Sequence, residues 1–107
     1  MVSYTFVSDE VLHEMNLHYL QHDTLTDIIT FDLSESSELP VVGDIYISID
    51  RVKENARSLG VAYPVELLRV ILHGALHLAG FGDSSGKEKK KMRELEEHWM
   101  NLFLQTV

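Results

Sequence analysis

No cysteine occurs among the 107 residues of this chain. Disulfides and thiolate metal sites are excluded, which leaves histidine, aspartate and glutamate as possible side-chain ligands. Basic residues are missing from residues 1–50, which hold ten acids and no lysine or arginine. No apolar stretch approaches the ~18–20 residues of a membrane span. Nor does the N-terminus carry a basic region followed by an apolar run. The expectation is a soluble, cytoplasmic protein with no membrane partner. Repeats, low-complexity tracts and a second-domain linker are also missing, so residues 1–107 are read as one domain.

What is present is ordinary in bulk and uneven in arrangement. Apolar residues make up 45% of the chain, and a chain of this length buries roughly 60–70% of its unfolded surface. The net charge of −8 argues against simple nonspecific nucleic-acid binding. Residues 51–107, however, hold nine bases against seven acids, and five of those bases fall between Lys87 and Arg93. Such asymmetry points to two different surfaces.

The chain is organised around His73-Gly74-Ala75-Leu76-His77-Leu78-Ala79-Gly80-Phe81-Gly82-Asp83. Two histidines four apart share one face of a helix, about 5–6 Å from each other, so both imidazoles can reach one metal ion. Gly80 suits the left-handed position that stops a helix. The chain can turn there and bring Asp83 to the same point. His73, His77 and Asp83 then supply three ligands and leave a fourth position for water, the count of a catalytic zinc site. The competing reading has two satisfied core histidines and an ordinary loop carboxylate; the pairing, the glycine stop and the third donor favour metal. His-Glu-x-x-His proteases carry a glutamate after the first histidine as general base. Here Gly74 occupies that position, which disfavours peptide hydrolysis.

Pattern and punctuation predict the remaining elements. Ser3–Val7 reads as a strand. Ser8 caps a helix to about residue 20, with Val11, Leu12, Met15, Tyr19 and Leu20 at helical spacing. His13 and His18 are expected at its surface, and His22-Asp23 in the following loop has no metal-ligand spacing. Asp27–Leu33 and Gly43–Ile49 read as strands, too close for a crossover helix and therefore antiparallel. Residues 34–40 between them form the one expected mobile loop. Asp50 is read as the cap of a helix ending at Gly60. Pro64 opens the next helix, which runs to Ala79 and is apolar enough to be buried, placing both histidines in a low-dielectric surround. Ser85 and Glu88 form a capping box for a last helix with Met92, Leu95, Trp99, Leu102 and Phe103 as its core stripe. The predicted class is α+β, a small mixed sheet packed against helices.

The histidine motif resembles the signature of the YbeY-type rRNA maturation factors, metal-dependent endoribonucleases. Thr26-Asp27-Ile28-Ile29-Thr30-Phe31 and Gly43-Asp44-Ile45-Tyr46-Ile47-Ser48 agree in order and spacing. The resemblance covers nearly the whole chain, with four departures. The family motif usually ends Asp-His, where this chain has Gly82-Asp83, so the third ligand becomes a carboxylate. Leu25 stands where a proline is usual before Thr26. Leu20 replaces an arginine expected after the tyrosine of the first helix. The chain also starts near what looks like the family's second strand, so an N-terminal strand and helix are expected to be missing.

The resemblance implies a zinc-dependent endoribonuclease acting in rRNA maturation, with one zinc per chain, and with precursor rRNA and small-subunit components as partners. Such a metal acidifies a water and stabilises charge on a phosphoryl oxygen. Exchanging a neutral histidine for Asp83 makes that water somewhat less acidic. Arg69, one turn before His73, is the candidate phosphate clamp for the role vacant at Leu20; the competing reading is a surface ion pair with Glu66. Thr26, Asp27, Asp44 and Ser48 stand as caps and supporting hydrogen-bond partners. Lys87, Lys89, Lys90, Lys91 and Arg93 form either a solvated helix face or an RNA-facing patch. Hydrolysis of another substrate, and a noncatalytic ribosome-assembly module with a structural metal, are the alternatives.

Overall fold

A computed structural model describes residues 1–20, 26–34, 42–82 and 85–106. The elements run β1 (Val2–Val7), α1 (Asp9–Leu20), β2 (Ile28–Asp32), β3 (Gly43–Ser48), α2 (Ile49–Leu59), α3 (Tyr63–Leu78) and α4 (Gly86–Thr106). The sheet is mixed, in the order β1-β3-β2: β3 is central, parallel to β1 and antiparallel to β2. The α+β expectation, the element order and the β2–β3 pairing all hold. Residues 35–41 and the His22-Asp23 pair lie outside the described residues. The described neck between β2 and β3 is closed, with Leu33 N–H donating to Val42 O at 2.8 Å and Val42 N–H to Ser34 Oγ at 2.9 Å.

Strand alternation sends successive side chains to opposite faces, and helices cover both. Ile45 and Ile47 on β3 pack with Val52, Val70 and Leu78 in the core, bordered by Ile28, Leu67 and Ile71. On the other face, Tyr19 of α1, Phe31 of β2 and Tyr46 of β3 form two edge-to-face contacts, each 5.9 Å between ring centres. Two covered faces explain why Ile28 and Ile29 are consecutive apolar residues. Tyr4 ties β1 to α3 by donating its hydroxyl to Ile71 O at 3.3 Å, and burial pushes its phenol pKa up.

Three expectations change. Ser48, not Asp50, caps α2: its Oγ accepts Arg51 N–H at 3.1 Å. Asp50 instead accepts Asp9 N–H at 2.9 Å, across the chain at the start of α1. The register differs because β3 ends at Ser48, one residue earlier than its apolar pattern suggests, and α2 starts at Ile49. Second, the core stripe of α4 stops early. Met92 is buried, whereas Trp99, Leu102 and Phe103 are 41–48% exposed. α4 has 21 residues and α3, on which it packs, has 16, so by helix rise α4 is about 7–8 Å longer than its support. Third, α3 is only partly buried. Val70, Gly74, Leu76 and Leu78 face the interior, while Ala75 and His77 are exposed.

Candidate metal centre and substrate cleft

The start and stop of α3 are set locally. Pro64 lies in its first turn, where a missing N–H costs nothing. Gly80 adopts φ +105°. Gly80 N–H donates to His77 O and Phe81 N–H to Leu76 O, both at 3.1 Å, the paired bonds of a Schellman stop. That stop was legible in the sequence, and it sends the chain toward Asp83. Asp83 itself lies outside the described residues.

Between β2 and α3 lies a cleft of about 380 Å³. Thr26, Asp27, Ile28 and Thr30 bound it on the strand side; Arg69, Val70, His73 and His77 bound it on the helix side. The two histidines and Arg69 therefore share one cleft, as their helical spacing predicts. Asp27 is held at its edge from two directions. Asn55 Nδ2 donates to its carboxylate at 3.3 Å, and its carbonyl accepts Ser48 N–H at 3.0 Å. Thr26 Oγ1 donates to Ile28 O at 3.2 Å. Asp44 and Ser48 do not line the cleft.

The low-dielectric surround expected for both histidines is not what the fold provides. His77 is exposed, and the His73 side chain keeps 25% of its surface. What distinguishes His73 is its partner. Its Nδ1 lies 2.9 Å from Oε2 of Glu96, a residue of α4 that is 5% exposed. Glu96 also accepts Arg69 Nη1 at 3.4 Å. A carboxylate that accepts from a guanidinium is an acceptor toward the imidazole as well, so the proton sits on His73 Nδ1. His73 would then meet a metal through Nε2, the carboxylate–histidine arrangement that supports metal ligands.

Arg69 is not the surface ion pair of the simpler reading. Glu66, its partner three residues back, is 1% exposed, and receives Arg69 Nε at 2.9 Å and Nη2 at 2.5 Å. Burial works against the Arg69 charge, but the hydrogen bonds and fields of Glu66 and Glu96 prevail and raise its pKa. The planar edge that grips a carboxylate bidentately is thus turned to Glu66.

Gly74 has a packing reason. A Cβ there would stand 2.9 Å from Ile28 Cδ1 and 3.1 Å from Ile45 Cδ1. The helix rests directly on the sheet at this position, so a side chain there would push on Ile28 and Ile45, and glycine itself supplies no base.

Glu66 and Glu96 are the site residues that sequence reasoning undervalued. A signal existed: Glu96 stands four after Met92 and three before Trp99, a carboxylate inside an apolar stripe. Asp32 was also passed over. Hydrogen bonds from Ser34 N–H, with a smaller contribution from the field of His77, hold its carboxyl below the usual range.

The donor set fits a divalent ion that favours nitrogen and oxygen ligands. Two imidazoles of one helix face share a cleft, one with its second nitrogen fixed by a buried carboxylate. Among the described residues no cluster of three metal-ligating side chains forms, and the third donor read from the sequence is Asp83.

Fold and cleft define a candidate hydrolase with two histidines and an arginine on one helix face. The sequence model of one family, Endoribonuclease YbeY, matches residues 1–104. The chain is 49% identical over 102 residues to an Endoribonuclease YbeY of Christiangramia forsetii, covering 95% of this chain and 70% of that protein. It is 50% identical over 101 residues to another from Cytophaga hutchinsonii, with 94% and 70% covered. The solution structure of TM1509 from Thermotoga maritima superposes with a TM-score of 0.64 at 34% identity, covering 98% of this chain and 71% of that one. This chain belongs to the Endoribonuclease YbeY family.

Proposed function

We propose that this protein is an endoribonuclease that takes one zinc ion through His73, His77 and Asp83 and cuts precursor rRNA during ribosome maturation. The endoribonuclease activity follows from family membership. The observation that carries the metal reading is the 2.9 Å contact of buried Glu96 with His73 Nδ1 beside the cleft. Zinc bound there supplies an acidified water and Lewis-acid stabilisation of a phosphoryl oxygen.

The chain's own residues do the rest. Glu96 fixes the His73 tautomer and ring orientation. Arg69 holds a positive charge at the cleft wall, where a phosphodiester would lie, while its bidentate edge steadies Glu66. Thr26, Asp27 and Thr30 line the opposite wall and offer polar contacts to a ribose. Gly74 packs against Ile28 and Ile45 and supplies no carboxylate, which supports phosphodiester over peptide hydrolysis. Work on precursor rRNA, together with small-subunit components, would place the protein in the cytoplasm.

Elemental analysis and RNA cleavage test the proposal together. Purified wild type should carry one zinc per chain, and His77→Ala should carry none. Cleavage by the zinc-loaded protein should stop with a chelator and return on adding zinc. Equal metal in both proteins would refute the site. RNA binding without cleavage at full zinc occupancy would favour an assembly module with a structural metal.

A further inference from the structure

On the α4 side of Arg69 and His73 lies a second cleft of about 470 Å³. Arg69 and His73 line both clefts, so the two adjoin at these side chains, one half toward β2 and the other toward α4. The second half has its own character. Exposed Leu59, at the end of α2, and buried Met92 line it, and Lys89 and Arg93 give it a cationic rim. Lys89 and Arg93 are one turn apart on α4, so both point the same way.

Those two bases belong to the run in which five of the nine lysines and arginines are gathered. Lys87, Lys90 and Lys91 of the same run are exposed but do not line the groove. The acids nearby do not cancel the rim. Glu96 already accepts from Arg69 and His73, and Glu97, which also lines this cleft one turn beyond Arg93, offsets only one of the two charges of Lys89 and Arg93.

Resting on the endoribonuclease reading, we propose that this half is a second substrate subsite, which holds the single-stranded RNA continuing past the scissile bond. A phosphate backbone running over α3 would leave the metal cleft at Arg69 and meet Lys89 and Arg93. The exposed Leu59 side chain offers an unstacked base an apolar contact. Charge complementarity and continuity with the catalytic cleft both favour this occupant.

Two double variants of the zinc-loaded protein test it. Lys89→Ala/Arg93→Ala removes the groove bases; Lys90→Ala/Lys91→Ala makes the same charge change outside the groove. On a single-stranded RNA oligonucleotide long enough to span both halves, the groove variant should raise KM about tenfold and leave kcat within about twofold. Its salt dependence should fall by about 0.7 per lost phosphate contact. The off-groove variant should shift KM by less than about threefold, an exposed charge being largely screened. On an oligonucleotide too short to cross α3, the groove variant should match wild type. Equal KM changes in the two double variants, or none in either, would overturn the subsite while leaving the endoribonuclease reading intact. Wild type that neither cuts nor binds RNA would overturn both.

Discussion

At the junction of α1 with α2, and at the contact of α3 with α4, an arginine is bound by carboxylate, and what surrounds each arrangement differs. In the first, Asp9 accepts Ser48 Oγ at 3.1 Å and Arg51 Nη2 at 2.7 Å. Ser48 Oγ in turn accepts Arg51 N–H, and Asp50 accepts Asp9 N–H. Two helix starts cap one another, and the donors that matter are backbone groups with no other use. In the second, Arg69 lies between Glu66 and Glu96, and Glu96 passes its remaining acceptor to His73. Its bonds all run between side chains, and Arg69 and His73 border both clefts. Similar residue types thus fasten a joint in one place and orient a candidate ligand in the other. The difference lies in whether the last donor of the network is a peptide N–H or a side chain that faces a cleft.

Breaking the second cluster should have the largest effect. Arg69→Ala leaves Glu66 buried without its guanidinium, and removing one partner of such a pair costs about 3 kcal/mol, the lower end because water can enter the vacated space. Urea unfolding should show that loss, and RNA cleavage should fall with it. A stability change under about 1 kcal/mol would mean that Glu66 finds another donor.

Glu96→Gln separates orientation from stability. The amide keeps the shape but is a weaker acceptor for His73 Nδ1–H, so zinc affinity should drop about 10–100-fold, read by competition with a chelator. Unchanged affinity would reduce Glu96 to a packing residue.

Ser48→Ala makes the matching cut in the capping joint. Ser48 is fully buried, and losing a serine cap costs about 1 kcal/mol. The thermal midpoint should fall, while zinc content and cleavage per folded molecule should stay at wild-type values. A cleavage defect here would dissolve the distinction between the two clusters.

The smallest effect is a pH dependence of the joint. The hydrogen bond from Arg51 holds the Asp9 carboxyl below its usual 3.8. A carboxyl lowered on folding stabilises above its unfolded value, and that contribution is lost as pH falls through the folded one. The stability gap between wild type and Asp9→Asn should be full above about pH 5 and should close well below pH 4. A gap that persists unchanged into strong acid would remove the ion pair from the account of the joint.

Much of the fold and part of the candidate site were legible in the sequence because the signals are short-range. Ser8 Oγ accepting Val11 N–H, the Ser85–Glu88 box and the glycine stops at Gly60 and Gly80 all act within three to five residues. His73 and His77 share a cleft because helix geometry leaves them little alternative. The exposed end of α4 was misread because periodicity shows which residues share a face, not how far the supporting helix extends. Asp50 was misread because a helix boundary depends on where the strand before it stops pairing.

By itself, then, the sequence determined the order of elements, the caps and stops, and the placing of two imidazoles and a guanidinium along one helix face. Those outcomes rest on dihedral preferences and on contacts a turn apart, which any packing must respect. Tertiary structure alone decided that Glu96, 23 residues from His73, would hold its Nδ1. It also decided that Asp50 would cap a helix 41 residues away, and that Gly74 would touch the sheet. Such pairings exist only once helices and strands have docked, because buried charges and close backbone approaches depend on which surfaces meet.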